Sequence, residues 1–136
     1  MDHAHPASPL LECRGLCFAR NEEPVFGPLD FSLDPGTALQ VLGGNGAGKT
    51  TLLRVLAGLL AATQGEVRLA GQVVDQGHLA RGCAFLGHLP GHKADLTALE
   101  NLNFTAATHA ATLTPEAALA EMGLGGHEDS LARRLS

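Results

Sequence analysis

The sequence contains no tryptophan and no tyrosine, and its five phenylalanines leave aromatic residues at 4%. Single-stranded nucleic acid is usually gripped by stacking bases on aromatic rings, so such a platform is not expected. A basic excess is missing too. Nine Lys and Arg stand against fourteen Asp and Glu, a formal net charge of -5. No nucleic-acid partner is expected on that balance. No apolar run reaches the length of a membrane span, and Arg54 interrupts the longest candidate. The first nine residues, Met1 to Pro9, are polar, carry His3 and His5, and lack the apolar stretch of a secretory signal. They read as a disordered tail. Cysteine is scarce. Cys13, Cys17 and Cys83 are odd in number and lack the paired spacing of a zinc site, which predicts reduced, mostly buried thiols in a cytosolic protein. The 136 residues suffice for one domain with a modest core.

Glycine, by contrast, is abundant, and its densest stretch is Gly43-Gly44-Asn45-Gly46-Ala47-Gly48-Lys49-Thr50-Thr51. The stretch fits G-x-x-x-x-G-K-[ST], a loop that wraps nucleotide phosphates. Ala38-Leu39-Gln40-Val41-Leu42 before it is a short apolar run that reads as a buried strand. After it, Leu52, Leu53, Val55, Leu56, Leu59 and Leu60 recur at helical spacing. Strand, glycine loop and helix form the context this motif needs.

The chemistry lies mainly in the backbone. Glycines at Gly43, Gly46 and Gly48 let successive N–H groups turn inward as a concave anion nest. The helix that starts near Lys49 adds its own open N–H groups and positive dipole end. A helix end contributes about 0.3–1 kcal/mol toward an anion, and a hydrogen bond to a charged group about 1.5–3 kcal/mol. The Lys49 ammonium adds about 4 kcal/mol at ~4 Å from a phosphate charge and an effective dielectric near 20. Amides and Lys49 are therefore expected to dominate binding. Thr50 is placed to offer its hydroxyl to a nucleotide-bound Mg²⁺.

Around this loop the chain orders itself simply. Leu10 to Ala19 and Val25 to Leu33 read as paired antiparallel strands across an Asn21-to-Pro24 turn, with Asp34-Pro35-Gly36 as the next turn. The helix is expected over Lys49 to Leu60. Gln64-Gly65 reads as a turn, Glu66 to Ala70 as a strand, Gln72 to Val74 as its return arm, and Cys83 to Leu86 as a central strand. The loop at that strand's end holds His88, where an open α/β sheet places ligands. Thr97-Ala98-Leu99-Glu100 is a capping box that opens a helix to about His109. Thr114 and Pro115 open another, closed near Met122 and Gly123.

Taken together, these residues resemble the ATP-binding subunit of ABC transporters over about Leu10 to Ser136. In that family two strands precede the loop, as here, and Leu52 to Leu59, Gly65-Glu66-Val67 and Thr97 to Leu102 are similar to its following elements. A narrower likeness is to the heme-exporter ATPases of cytochrome c biogenesis. It rests on Phe85-Leu86-Gly87-His88-Leu89-Pro90-Gly91, then Lys93, then Leu96 to Leu102. There a histidine stands where most of the family has a Mg²⁺- and water-contacting glutamine.

The resemblance implies an α/β fold of the P-loop NTPase class. An antiparallel β part would sit beside a parallel core, with a helical subdomain from about residue 97 and residues 10–136 forming part of one nucleotide-binding domain. It implies ATP and Mg²⁺ as ligands, held by Gly43 to Thr51, with His88 possible beside the γ-phosphate or metal. Adenine would stack at Arg20, with Phe18 nearby, where the family often has an aromatic residue. The implied partners are a second ATPase subunit and transmembrane permease subunits, met through His88 to Leu102. The implied place is the cytoplasmic face of the bacterial inner membrane. Leu135-Ser136 resembles the start of the family's Leu-Ser-Gly-Gly-Gln signature. Its Mg²⁺ aspartate, general-base glutamate and switch histidine would then follow beyond, so this stretch alone is expected to hold nucleotide weakly without turning it over. Two alternatives remain: an ABC ATPase for another cargo, or a non-catalytic nucleotide-binding module if the chain ends at Ser136.

Overall fold

The computed structural model describes residues 8–87, 91–109 and 111–135. The expected tail through residue 7, with His3 and His5, lies outside the described residues, as do His88, Leu89, Pro90, Ala110 and Ser136. The chain divides into two compact units, Met1–Phe85 and Leu86–Ser136.

The first unit is built on strands β1 (Leu11–Arg20), β2 (Glu23–Leu33), β3 (Gln64–Leu69) and β4 (Gln72–Val74), with helices α1 (Lys49–Leu56) and α2 (Gln76–Gly82). β1 and β2 form the expected hairpin, with Leu11 opposite Leu33 and Cys13 opposite Phe31. Asn21 and Glu22 close it, both at positive φ (51° and 66°), the two-residue geometry that follows the natural strand twist. β3 pairs with the other edge of β1 and β4 with β3, giving the antiparallel order β2-β1-β3-β4.

A bulge explains why the alternation along β1 is imperfect. Cys13 and Leu16 are both buried though three residues apart, and strict alternation would send them to opposite faces. The register with β2 shifts between them. Gly15 sits in that gap, its N–H donating to Asp30 Oδ1 at 2.8 Å. One extra residue in the strand restores both side chains to the core. Gly65 belongs to the same feature. It was expected in a turn, yet it lies inside β3, and a Cβ there would fall 2.3 Å from the Gly15 carbonyl oxygen. The glycine marks a close approach of two backbones.

The core joins Cys13, Leu16 and Val67 from the strands to Leu52 and Val55 of α1 and Leu79 of α2. Leu16 is fully buried. Burial pushes the Cys13 thiol up to about 11, with the Glu12 charge adding to the effect. The group therefore stays protonated at neutral pH and behaves as a small apolar side chain. Cys17 and Cys83 are half-buried, and all three thiols are free.

Three local expectations are corrected here. Helix α1 stops at Leu56 rather than Leu60, because Gly58 turns left-handed (φ 76°) and the Leu59 N–H returns to the Arg54 carbonyl at 2.9 Å. Helix α2 was not anticipated; Asp75 caps it by accepting from the His78 N–H at 2.8 Å. Ala38 to Leu42 and Cys83 to Leu86 do not pair as strands among the described residues. Parallel strands need neighbours on their edges and cover on both faces. Here Leu42 and Leu86 are 78% and 91% exposed, and the four described strands pair only antiparallel.

The second unit holds α3 (Ala98–Thr108), α4 (Pro115–Glu121) and a short 3-10 turn, Ala132–Arg134. The capping box is present: Glu100 N–H donates to Thr97 Oγ1 and Thr97 N–H to Glu100 Oε1, both at 3.1 Å. Thr114 caps α4, with Pro115 in its first turn. Gly123 takes the left-handed position after it, φ 75°. Thr97→Ala should lower stability by about 1 kcal/mol through loss of this cap. Urea unfolding followed by far-ultraviolet circular dichroism checks it, with the midpoint expected to fall at unchanged slope.

Candidate phosphate-binding site

The loop Gly43 to Thr51 joins the stretch after β2 to the start of α1. Gly46 and Gly48 take positive φ, 83° and 90°, so the chain folds back on itself and enters the helix directly. Residues 43–47 are exposed and Gly48 and Lys49 half-buried, which makes an open cradle at the surface. Gly48 is the helix N-cap and is wedged against β2. A Cβ on it would lie 2.9 Å from the Val25 carbonyl oxygen and 3.2 Å from Val25 Cγ1. That contact fixes where α1 begins.

The loop's donors are what matter chemically. Within Gly43 to Thr51, among the described residues, the Ala47 N–H alone is taken by a backbone carbonyl, that of Gly44 at 3.2 Å. The first helical bond runs from Leu52 N–H to the Gly48 carbonyl at 2.9 Å. The N–H groups of Lys49, Thr50 and Thr51 precede that ladder. They have no acceptor among the described residues. The Lys49 ammonium reaches back to donate to the Gly43 carbonyl, so the one cation of the loop spans its mouth. Open amides, a helix start and a bridging ammonium have the donor set and the charge that a polyphosphate needs. The site therefore fits an ATP tail. Among the described residues no group of three or more His, Cys, Asp or Glu side chains could hold a metal ion. Thr50 is exposed beside the amides.

A second group of expected residues comes together on the hairpin. Phe18 faces Phe26 across β1 and β2, their rings stacked with centroids 6.2 Å apart and planes 23° from parallel. Arg20 Cζ stands 5.9 Å from the Phe18 ring centroid, a cation–π arrangement. The sequence reading named Arg20 and Phe18 and missed Phe26. A plain two-residue hairpin would set Val25 opposite Phe18. A register shift between Phe18 and Ala19 moves Phe26 into that place, and nothing in the residue order announces it. Gly48 also lies near Phe26, whose Cβ is 3.5 Å from where a Gly48 Cβ would sit.

In the second unit, Gly91, His92, Lys93, Leu96, Asn101, Leu102, Phe104 and Thr105 line a cavity of about 200 Å³. Phe104 is 69% exposed at its edge. His88 lies outside the described residues, so the structure places no side chain for it.

With this geometry in hand, the relationship to known proteins is direct. The ABC transporter family model matches residues 26–136, and the chain belongs to that family. Among curated relatives, it is 57% identical over 138 residues to a cytochrome c biogenesis ATP-binding export protein, CcmA, of Xanthomonas campestris pv. campestris (strain 8004), covering 100% of this chain and 64% of the relative. Proteins of the same name from Xylella fastidiosa (strain Temecula1) and Cupriavidus necator are 47% and 44% identical, covering 96% and 94% of this chain. The chain covers 62% and 59% of these two, so it spans about three fifths of the curated relatives' length. Two solved structures share the fold. The ATP-binding subunit of an ABC transporter matches with a TM-score of 0.76 at 25% identity, over 93% of this chain and 56% of that one. A nucleotide-free ATP-binding cassette matches at 0.73 and 21%, over 95% and 60%. The α/β, ABC-ATPase fold read from the sequence is thus borne out. Among the described residues no helix is long and apolar enough to cross a membrane.

Proposed function

We propose that this chain is the ATP-holding part of an ABC transporter ATPase that drives the export of heme, or a related step, in cytochrome c biogenesis. The observation that carries the ATP reading is the set of open amides at the start of α1 with the Lys49 ammonium across them. The cargo reading is supported by the 57% identity to a protein named for that export. Gly43 to Thr51 would cradle the phosphates, and the Thr50 hydroxyl would ligate Mg²⁺. Mg²⁺ bound with ATP supplies neutralisation of charge on the transferred phosphoryl oxygens. Lys49 and the loop amides orient that tail and hold it against solvent exchange. His88 would contribute at the γ-phosphate or metal side. Residues 10–136 form part of a nucleotide-binding domain, with a helical subdomain from about residue 97.

Arg20 and Phe18 would carry the adenine, with the guanidinium plane stacked between ring and base. Phe26 backs this stack. Arg20→Ala should weaken ATP binding by about tenfold, the scale of one lost stacking contact of about 1–3 kcal/mol. Isothermal titration with Mg-ATP checks it. Arg20→Lys should not restore affinity, because an ammonium lacks the plane.

The partners would be a second ATPase subunit and transmembrane permease subunits at the cytoplasmic face of the bacterial inner membrane. The cavity lined by His92, Lys93, Leu96, Leu102 and Phe104 supports contact through His88 to Leu102. A chimera tests the whole reading: this chain replaces the matching part of the Xanthomonas relative in cells deleted for it. Restored c-type cytochrome supports the proposal, provided the same chimera with Lys49→Ala fails. A correctly expressed chimera that restores none rejects the cargo assignment.

A further inference from the structure

The first turn of α3 shows where its amides go. Thr97 and Glu100 cap each other. The Ala98 N–H donates to the Ser130 carbonyl at 2.9 Å, and the Leu99 N–H to the Glu128 carbonyl at 3.1 Å. Donors also run the other way. Ala132 N–H reaches the Leu96 carbonyl at 2.9 Å and Arg133 N–H the Ala94 carbonyl at 3.2 Å, while Thr97 and Leu131 form a β-bridge. Residues 128–133 are therefore a strap bonded along residues 94–99.

Asn101 holds the same turn from the helix side. Its Oδ1 accepts from the Lys93 N–H at 2.8 Å. Its Nδ2 faces the carbonyls of Lys93 and Thr97, each at 3.0 Å, and that of Leu96 at 3.4 Å. A side-chain amide that both accepts from and donates to one residue's backbone copies a strand pairing. The Leu96 carbonyl is shared, since it faces Asn101 and also takes the strap's Ala132.

We propose that Asn101 is the buckle of a clasp, and that the turn beginning at Lys93 and the strap leading to Leu135 open and close as one cooperative unit. Releasing Asn101 frees the Lys93-to-Leu96 turn, whose Ala94 and Leu96 carbonyls are the strap's acceptors. A displacement at Lys93 thereby reaches Leu135 through backbone bonds that bypass α4. The Arg133–Asp95 ion pair, 3.0 Å, lies outside the clasp, its side chains 55% and 86% exposed. Exposed pairs contribute little, so it is not the fastening. The inference goes beyond the nucleotide reading and rests only on this unit's own hydrogen bonds.

Amide hydrogen exchange by NMR on the 136-residue chain tests it. Asn101→Ala should speed exchange at Ala132 and Arg133, which Asn101 does not touch, by about tenfold, the scale of one net hydrogen bond. The α4 amides of Ala118 and Met122 should keep their rates. Asn101→Asp keeps the acceptor for Lys93 but loses the donors, and should behave like alanine. Asp95→Ala should leave the strap within about twofold. Faster exchange confined to Lys93, faster exchange throughout including α4, or an aspartate variant matching the native chain would each overturn the proposal.

Discussion

Lys49→Ala should weaken Mg-ATP binding by roughly 10²–10³-fold while leaving the fold intact. The size follows from the charge. An ammonium about 4 Å from a phosphate contributes about 4 kcal/mol at an effective dielectric near 20, and each 1.4 kcal/mol is about tenfold. The fold is spared because, among the described residues, the Lys49 ammonium bonds only the Gly43 carbonyl of its own loop, and the core residues of α1 are Leu52 and Val55. Calorimetric titration should show the affinity loss, and the urea midpoint should stay within the spread of repeats. Lys49→Arg separates charge from shape. It keeps the positive charge but widens the head group in a loop whose mouth one ammonium spans, so affinity should fall between the two.

Gly48→Ala should damage stability and binding together. The residue sits at φ 90°, a backbone that costs a side chain about 1–3 kcal/mol. A Cβ 2.9 Å from the Val25 carbonyl oxygen adds an overlap, and overpacking of this kind costs about 1–3 kcal/mol more. Relief requires β2 and the start of α1 to part, which turns the Lys49, Thr50 and Thr51 amides off target. The urea midpoint should drop and ATP affinity should fall further than stability alone explains. Gly44→Ala is the contrast: a Cβ at Gly44 meets nothing within 4 Å. If both variants behaved alike, the wedge against β2 would not be what sets the cradle.

How far the sequence reveals this molecule depends on the range of the interaction. Capping is local, and Thr97 with Glu100, Thr114 with Pro115, and Gly123 all read correctly from their neighbours. The hairpin was legible because alternation and turn residues agree. The bulge at Gly15 was not, since it exists to bring Cys13 and Leu16 to one face and to let Gly65 approach. Both are demands of partners some fifty residues away. A separate register shift, between Phe18 and Ala19, hid Phe26 behind Phe18. Ala38 to Leu42 and Cys83 to Leu86 have the composition of buried strands, but composition does not supply a pairing neighbour. At the site, the loop was fully legible as a motif. What the structure adds is that its amides are open, and that Gly48 is held by β2.

The decisive measurement is an amide-resolved NMR titration of the 136-residue chain with Mg-ATP. The account predicts that the largest shifts fall on Gly46, Gly48, Lys49, Thr50 and Thr51, and that Lys49→Ala abolishes them at the same nucleotide concentration. Saturable binding that leaves those five amides unmoved, or that survives unchanged in Lys49→Ala, would contradict it.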